Sequence, residues 1–251
     1  MSQTRISARA NAPELSLPPP FTAVRLRELG DAFAHAQAIA GESGAGTLVH
    51  VGRFDLSEFA LVLEPEEPLR VARRAFHAGM IAMVDTLSAY AEPETSVAIG
   101  WPDAVTVNLG LVGGGRLAWP RGAQEDDVPP WLVFGGMVRI ASMSGVEPGL
   151  NPLSTALEEE GFDTMAAPKV IEGFARHFMT ILDTWNEKGF TAVAKTCVQH
   201  LTPQAGVRRE IDENGDLLIT SMAGRGAERK SLLAALADPT WFDVTTGGPR
   251  L

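Results

Sequence analysis

Two glycine-bearing stretches are where this sequence lets backbone come close to a ligand. The first is Gly44-Ala45-Gly46-Thr47. A loop of this kind can turn N–H groups toward a phosphate. It does not open a helix after a strand, as a dinucleotide fingerprint would, and it has no Gly-Lys-Ser/Thr. A plain turn accounts for the same residues. The second stretch runs Gly100-Trp101-Pro102-Asp103, then Val107-Asn108, then Gly113-Gly114-Gly115-Arg116. Three glycines leading into a strand admit a ligand or another backbone. Trp101 offers a wall for a ring or an alkyl chain, while Asp103 and Asn108 offer polar contacts. A tight hairpin with a buried Trp is the structural alternative.

Other reactive side chains give weaker patterns. His35, His50, His77, His177 and His200 have no Cys, Asp or Glu at metal-ligand spacing. His50 stands beside the first loop, either facing a pocket or serving as a structural histidine. Cys197 is the single cysteine. No intramolecular disulfide can form, and a lone Cys in an apolar helix reads as a small hydrophobe. Glu125-Asp126-Asp127 and Glu158-Glu159-Glu160 read as solvated acidic faces.

The elements that must position these residues follow from periodicity and breakers. A flexible, Pro-rich leader over 1–20 ends in Leu17-Pro18-Pro19-Pro20. A strand over 21–26 precedes a helix capped by Asp31, with Ala32, Phe33, Ala36 and Ala40 facing inward over 31–40. A glycine-rich turn over 41–46 leads to strands over 47–51 and 58–63. A single long helix over 70–90 carries the core stripe Val71, Ala75, Phe76, Met80, Met83, Val84 and Leu87. Strands over 96–99, 105–108, 116–119 and 131–141 follow, separated by Gly and Pro. A short helix ends at Gly161. Helices over 169–186 and 190–201 come next, the first with Phe174, Phe178 and Trp185 on its inner face. Asn214-Gly215 marks a tight hairpin between 211 and 219, and a last helix spans 231–236. The order implies an α+β fold, with a mixed or antiparallel sheet packed with helices and a small C-terminal β appendage. The expected division is a leader over 1–20, a main domain over 21–200 and an appendage over 201–251.

With 251 residues, 45% of them apolar, the chain can bury a large core. Its mean hydropathy is close to zero at +0.04. The formal charge of −10 disfavours sequence-independent nucleic-acid binding. No apolar run is long enough to span a bilayer and no signal-peptide pattern opens the sequence, so the expected location is the cytoplasm. Lysine is confined to Lys169, Lys188, Lys195 and Lys230.

Gly100-Trp101-Pro102-Asp103, Val107-Asn108 and the glycines at 113–115 resemble the Lys-Trp-Pro-Asn-Asp … Lys-x-x-Gly segment of biotin protein ligases. Further motifs keep that family's order. Residues 44–49 stand where the family has its Gly-Arg-Gly-Arg-x-Gly loop, and 59–68 resemble the following strand and helix start. Residues 151–161 resemble its Thr-Ser-Leu … Gly region. Trp185 with Gly189-Phe190 resembles a helix ending in Trp-x-x-x-Gly-Phe, and 211–219 the opening of its small C-terminal β domain. The match covers about 21–240.

The resemblance implies a biotin/lipoate protein ligase-like protein. In that family ATP activates a small carboxylate as an acyl-adenylate, and a lysine of an acceptor protein then attacks it. Biotin or lipoate, with ATP and Mg, are the ligands this implies. Two anions must meet, so positive donors must converge on them. Here the sequence departs from the family. Ala45 and Leu48 stand where arginines would, Gly100 replaces the lysine before Trp-Pro, and the later lysine falls at about Leu111 or Val112. Arg53 and Arg116 are the candidate catalytic substitutes, each with a surface arginine as its plainer reading. Gly44, Gly46, Thr47, Trp101, Asp103, Asn108, Gly113, Gly114 and Gly115 are the candidate binding residues, and no metal ligands are expected. Three readings follow: an altered ligase, a non-catalytic small-ligand-binding protein, and a protein-interaction module. A homodimer through a sheet edge is compatible with each.

Overall fold

The computed structural model describes residues 14–143, 153–162, 164–224 and 226–250. Residues 1–13 of the expected leader, Asn151 and Leu251 lie outside the described residues. Strands β1 (Thr22–Leu26) and β2 (Thr47–Val51) pair in parallel. Parallel neighbours need a crossover between them, and α1 (Ala32–Ser43) supplies it. Asp31 caps this helix by accepting a hydrogen bond from the Ala34 N–H at 2.8 Å. The helix runs on through Gly41, Glu42 and Ser43, so the glycine-rich turn begins at Gly44, whose φ is 78°.

The remaining strands of the main sheet are β3 (Leu56–Leu63), β4 (Val97–Gly100), β5 (Ala104–Val107), β6 (Gly110–Ala118) and β7 (Leu132–Arg139). They lie in the order β1-β2-β3-β7-β6-β5-β4, and every pair except β1–β2 is antiparallel. This is an α+β fold with a mixed sheet, as the order of elements implied. The three glycines at 113–115 lie inside β6 rather than before it.

Strand alternation gives the sheet two different faces. One face bears Phe59, Leu61 and Phe134 and packs on α3 (Ala75–Ser88) and α4 (Ala167–Lys188). Its centre is a run of rings. Phe134 stacks on Phe174 at 5.5 Å, Phe59 tilts against Phe174 at 4.5 Å, and Phe76 meets Phe134 at 5.8 Å. The other face bears Val49, Ala60, Val62 and Val133 under Ala32, Ala36 and Ala40 of α1.

The expected long helix is divided into α2 (Leu69–Ala72) and α3. At the junction the Arg74 Nε donates to the Val71 carbonyl at 2.8 Å, and its other nitrogens reach Glu67 and the Glu213 carbonyl. Phe76 and His77 fall back to i−3 bonds on Arg73 and Arg74, tightening the turn.

After α4 come α5 (Phe190–His200), β8 (Val207–Ile211), β9 (Leu217–Ser221), β10 (Ala227–Lys230) and α6 (Leu232–Leu236). The strands form a small antiparallel sheet in the order β10-β9-β8. The 211–219 hairpin is wider than a two-residue turn. Asp212 accepts from the N–H groups of Asn214 and Asp216, and only Gly215 takes a positive φ there. Leu217, Ile219 and Leu232 join the main core. Two short strands, β11 (Phe242–Asp243) and β12 (Gly248–Pro249), pair antiparallel near the end of the chain. At the other end, Leu15 and Leu17 pack on the main core. No helix of the described residues is long and apolar enough to cross a membrane.

Gly136 tests how tightly the centre is built, because a Cβ there would run into the Phe59 ring and its φ is not in the left-handed region. Gly136→Ala is expected to cost about 1–3 kcal/mol through overpacking, read from the urea midpoint at constant m-value.

Candidate functional site

On the face that carries α1, glycines alternate with larger side chains at the middle of the sheet. In register, Arg116 of β6 lies opposite Gly135 of β7, and Gly135 opposite Ala60 of β3. One row along, Gly114 faces Met137, and Met137 faces Glu58. Aromatic rings fill the space the glycines leave. A Cβ on Gly135 would enter the Phe33 ring. A Cβ on Gly114 would meet the Trp241 indole at 2.5 Å.

Trp241 is brought there by the C-terminal segment. Its Nε1–H donates to the Gly115 carbonyl at 3.0 Å. The preceding Thr240 donates to the Asp103 carboxylate twice, from its backbone N–H at 3.0 Å and its hydroxyl at 2.8 Å. Burial raises the Asp103 pKa, against the pull of those Thr240 bonds.

Arg116 lies between two rings of this face. Its guanidinium carbon is 4.4 Å from the Phe33 ring centre and 4.1 Å from that of Phe242. Among the described residues it makes no hydrogen bond or ion pair. Burial lowers its pKa, and the nearby Asp31 and Glu58 raise it. The buried Glu58 accepts the Ala32 N–H, at the start of α1, at 2.7 Å. Burial pushes its carboxyl up, the Ala32 bond pulls it down, and Arg116 and Arg53 add smaller downward pulls. The arrangement is a guanidinium in contact with two aromatic rings, none of its N–H groups hydrogen-bonded among the described residues. The N–H edge is where a carboxylate or phosphate binds in a bidentate manner.

The sequence candidates divide into separate places. Gly114, Arg116 and Asp103 meet at this face, while Gly115 faces the helices and contributes only its carbonyl to Trp241. Gly113 abuts the Met137 backbone. Arg53, beyond the end of β2, is joined to Asp55 by its Nε at 3.0 Å and Nη2 at 2.5 Å. Gly44, Gly46 and Thr47 are at the opposite end of β2, on the order of 16 Å away by strand rise. There the Gly46 N–H bonds the Val62 carbonyl and the Thr47 N–H the Gly44 carbonyl. Asn108 sits in the β5–β6 turn with φ 48° and donates to Glu160 at 2.7 Å. Trp101 lies on the helical side, stacked on His77 at 5.4 Å, its buried Nε1 without a partner among the described residues. His50 lines a cavity of about 270 Å³ with Arg25, Glu28 and Arg53.

Phe33, Glu58, Trp241 and Phe242 belong to this face and were not singled out as site residues from the sequence. Phe33 and Glu58 read as ordinary members of a helix and a strand. The adjacent aromatics Trp241 and Phe242, in an otherwise polar tail, are the signal that could have pointed there.

A family model described as the biotin/lipoate A/B protein ligase family matches residues 17–199. Among solved structures, a biotin protein ligase-like protein of unknown function from Silicibacter sp. TM1040 is 26% identical with a TM-score of 0.76, covering 90% of this chain and 100% of that one. The apo biotin protein ligase of Aquifex aeolicus is 14% identical with a TM-score of 0.65, covering 84% and 95%. The same enzyme in complex with biotin and ATP is 14% identical with a TM-score of 0.60, covering 83% and 94%. A comparison with curated proteins gives no match.

His77, under Trp101, carries a separate expectation. Its Nε2 is 2.9 Å from the Gly215 carbonyl, which makes it the donor, so Nδ1 accepts from the Cys197 thiol at 3.6 Å. Burial drives the imidazole down to about 4 and the thiol up to about 12, the opposite of what a thiolate–imidazolium nucleophile needs. The unfolded chain takes up a proton below pH 6.5, while the folded imidazole waits until about 4. His77 therefore removes stability as pH falls through that window, roughly 3 kcal/mol in all. His77→Gln should flatten the fall in urea midpoint between pH 7 and 4.5; an unchanged slope would mean that His77 does not titrate this way.

Proposed function

The chain belongs to the biotin/lipoate A/B protein ligase family, and from that premise we propose that it binds a small carboxylate of the biotin or lipoate kind, with Arg116 receiving the carboxylate. The observation that carries this is the guanidinium between Phe33 and Phe242 with its N–H edges free. A ligand carboxylate would take two parallel N–H···O bonds there. Its apolar body would lie along the rings. A structure of the same fold, from Aquifex aeolicus, is in complex with biotin and ATP, which supports the ligand class.

Binding is a smaller demand than ligation. To form an acyl-adenylate, a carboxylate oxygen attacks the α-phosphorus of ATP and pyrophosphate leaves. Donors must then hold both anions while charge builds between them. Arg53 is already paired with Asp55. Arg139, on the same face, gives its N–H groups to the carbonyls of Pro249, Arg250 and Thr155. Among the described residues of this face, Arg116 is the guanidinium left to serve a carboxylate, and a phosphate would need a further donor.

The ligase reading keeps one observation in its favour. Arg53 and Arg139 both line a cavity of about 290 Å³ beside β12. If their present partners gave way, two further cations would face an ATP phosphate, and transfer to an acceptor lysine would follow. Mg, which usually binds substrate phosphates with few protein ligands, would accompany the ATP.

Calorimetric titration with biotin, lipoate and octanoate, alongside carboxylate-dependent exchange of pyrophosphate into ATP, tests both readings. Uptake of at least one carboxylate is expected, with no exchange. Arg116→Ala should weaken that binding about 10- to 100-fold, the range of a charged hydrogen-bond pair. Wild-type protein that takes up none of the three overturns the proposal, and exchange with any of them replaces it with ligation.

A further inference from the structure

We infer that Phe242, carried by the C-terminal segment, is a positioning residue for Arg116, so that residues 240–250 form one wall of the anion site. The inference rests on the reading of Arg116 as the carboxylate receptor.

A guanidinium on a three-carbon stem samples many orientations when nothing confines it. Phe33 confines it from one side only. That ring is fixed by α1 and by its seat on Gly135. Phe242 closes the other side, 4.1 Å from the guanidinium carbon. With a second ring in contact, the guanidinium has less room to turn than Phe33 alone would leave it. Part of the cost of ordering it is then met before a ligand arrives, which favours binding. The rings also displace water beside the group, which strengthens the bonds it makes.

The segment is clasped as a wall would be. Trp241, next to Phe242, is 1% exposed and meets the Phe242 ring edge-on at 5.4 Å. Phe242 pairs with Pro249 across β11–β12. The Arg250 N–H bonds the Trp241 carbonyl at 2.8 Å, and its Nε bonds that of Phe242 at 3.1 Å. Arg139 holds the Pro249 carbonyl at 2.8 Å, and Asp103 holds Thr240. A plug meant to leave the face would empty the slot over Gly114 and strand the Gly115 carbonyl. The same contacts suit a permanent part of the site.

Substitution separates the ring's electrostatic role from its bulk. Phe242→Leu keeps an apolar side chain and removes the π face, Phe242→Tyr restores the face, and Phe242→Met is a second apolar variant should the leucine fold poorly. The first readout is the Arg116 Nε–H resonance of the unliganded protein, which ring currents displace. The second is the dissociation constant for biotin, lipoate and octanoate, with the thermal midpoint as a control on folding. Expected for Leu and Met are an Arg116 resonance that moves toward its unstacked position and binding weakened about 5- to 20-fold, with Tyr within twofold of wild type. Leu and Met variants that bind as wild type does overturn the inference while leaving the carboxylate reading intact, whether or not the resonance moves. A wild type that binds none of the three ligands marks the failure of the carboxylate reading itself, and the inference falls with it.

Discussion

The rest of the structure depends on two pairs of glycines at the centre of the sheet. Glycines stand in pairs at 114–115 on β6 and 135–136 on β7. Successive residues of a strand face opposite ways, so each pair opens both faces at once. Gly115 and Gly136 make room on the helical face for Met80, Phe134 and Phe59, while Gly114 and Gly135 make room on the other for Trp241 and Phe33. Core and candidate site therefore share one floor. The ring stack that fixes β7 from below also fixes the height at which Phe33 and Trp241 rest above it. Interiors are close-packed and pass displacement on, so the slot around Arg116 inherits its dimensions from the core.

Much of the local architecture was legible in the sequence because short-range chemistry determines it. Asp31 caps α1 with the side-chain bond its type and place suggest. The spacing of Phe174 and Phe178 puts both rings on the buried side of α4. The same local logic fails where distant residues decide. Glycine weakens a strand on its own account, so 113–115 read as a lead-in, although neighbouring rings make glycine the residue that fits there. Nothing near 73–74 signals a helix break, since one of its causes is a bond to the Glu213 carbonyl 139 residues away. The order of elements pointed to the α+β fold, and family resemblance to the order of the motifs. Resemblance could not say which motif residues converge, and the first glycine turn, Trp101 and Asn108 lie in three places apart from Arg116.

The distribution of charge on this face bears on the choice between binding and chemistry. Its carboxylates are largely engaged within the chain. Glu58 takes the amide at the start of α1, Asp103 takes Thr240, and Asp55 takes Arg53. Arg139 is surrounded by carbonyls. Arg116 contacts aromatic faces, feels Asp31 and Glu58 only at longer range, and keeps its hydrogen-bonding capacity unused. A face organised in this way suits holding one anion better than driving two together.

The wall that completes this slot is remote along the chain. Trp241 bonds a carbonyl 126 residues earlier, and Phe242 covers Arg116 over the same span. Closing so long a loop is entropically expensive until much of it is ordered, and such contacts tend to form after local ones. The ring stack reaches almost as far, from Phe59 to Phe174, so core and slot alike wait on contacts made by the later part of the chain. Ordering of the slot around Arg116 is thereby tied to completion of the core.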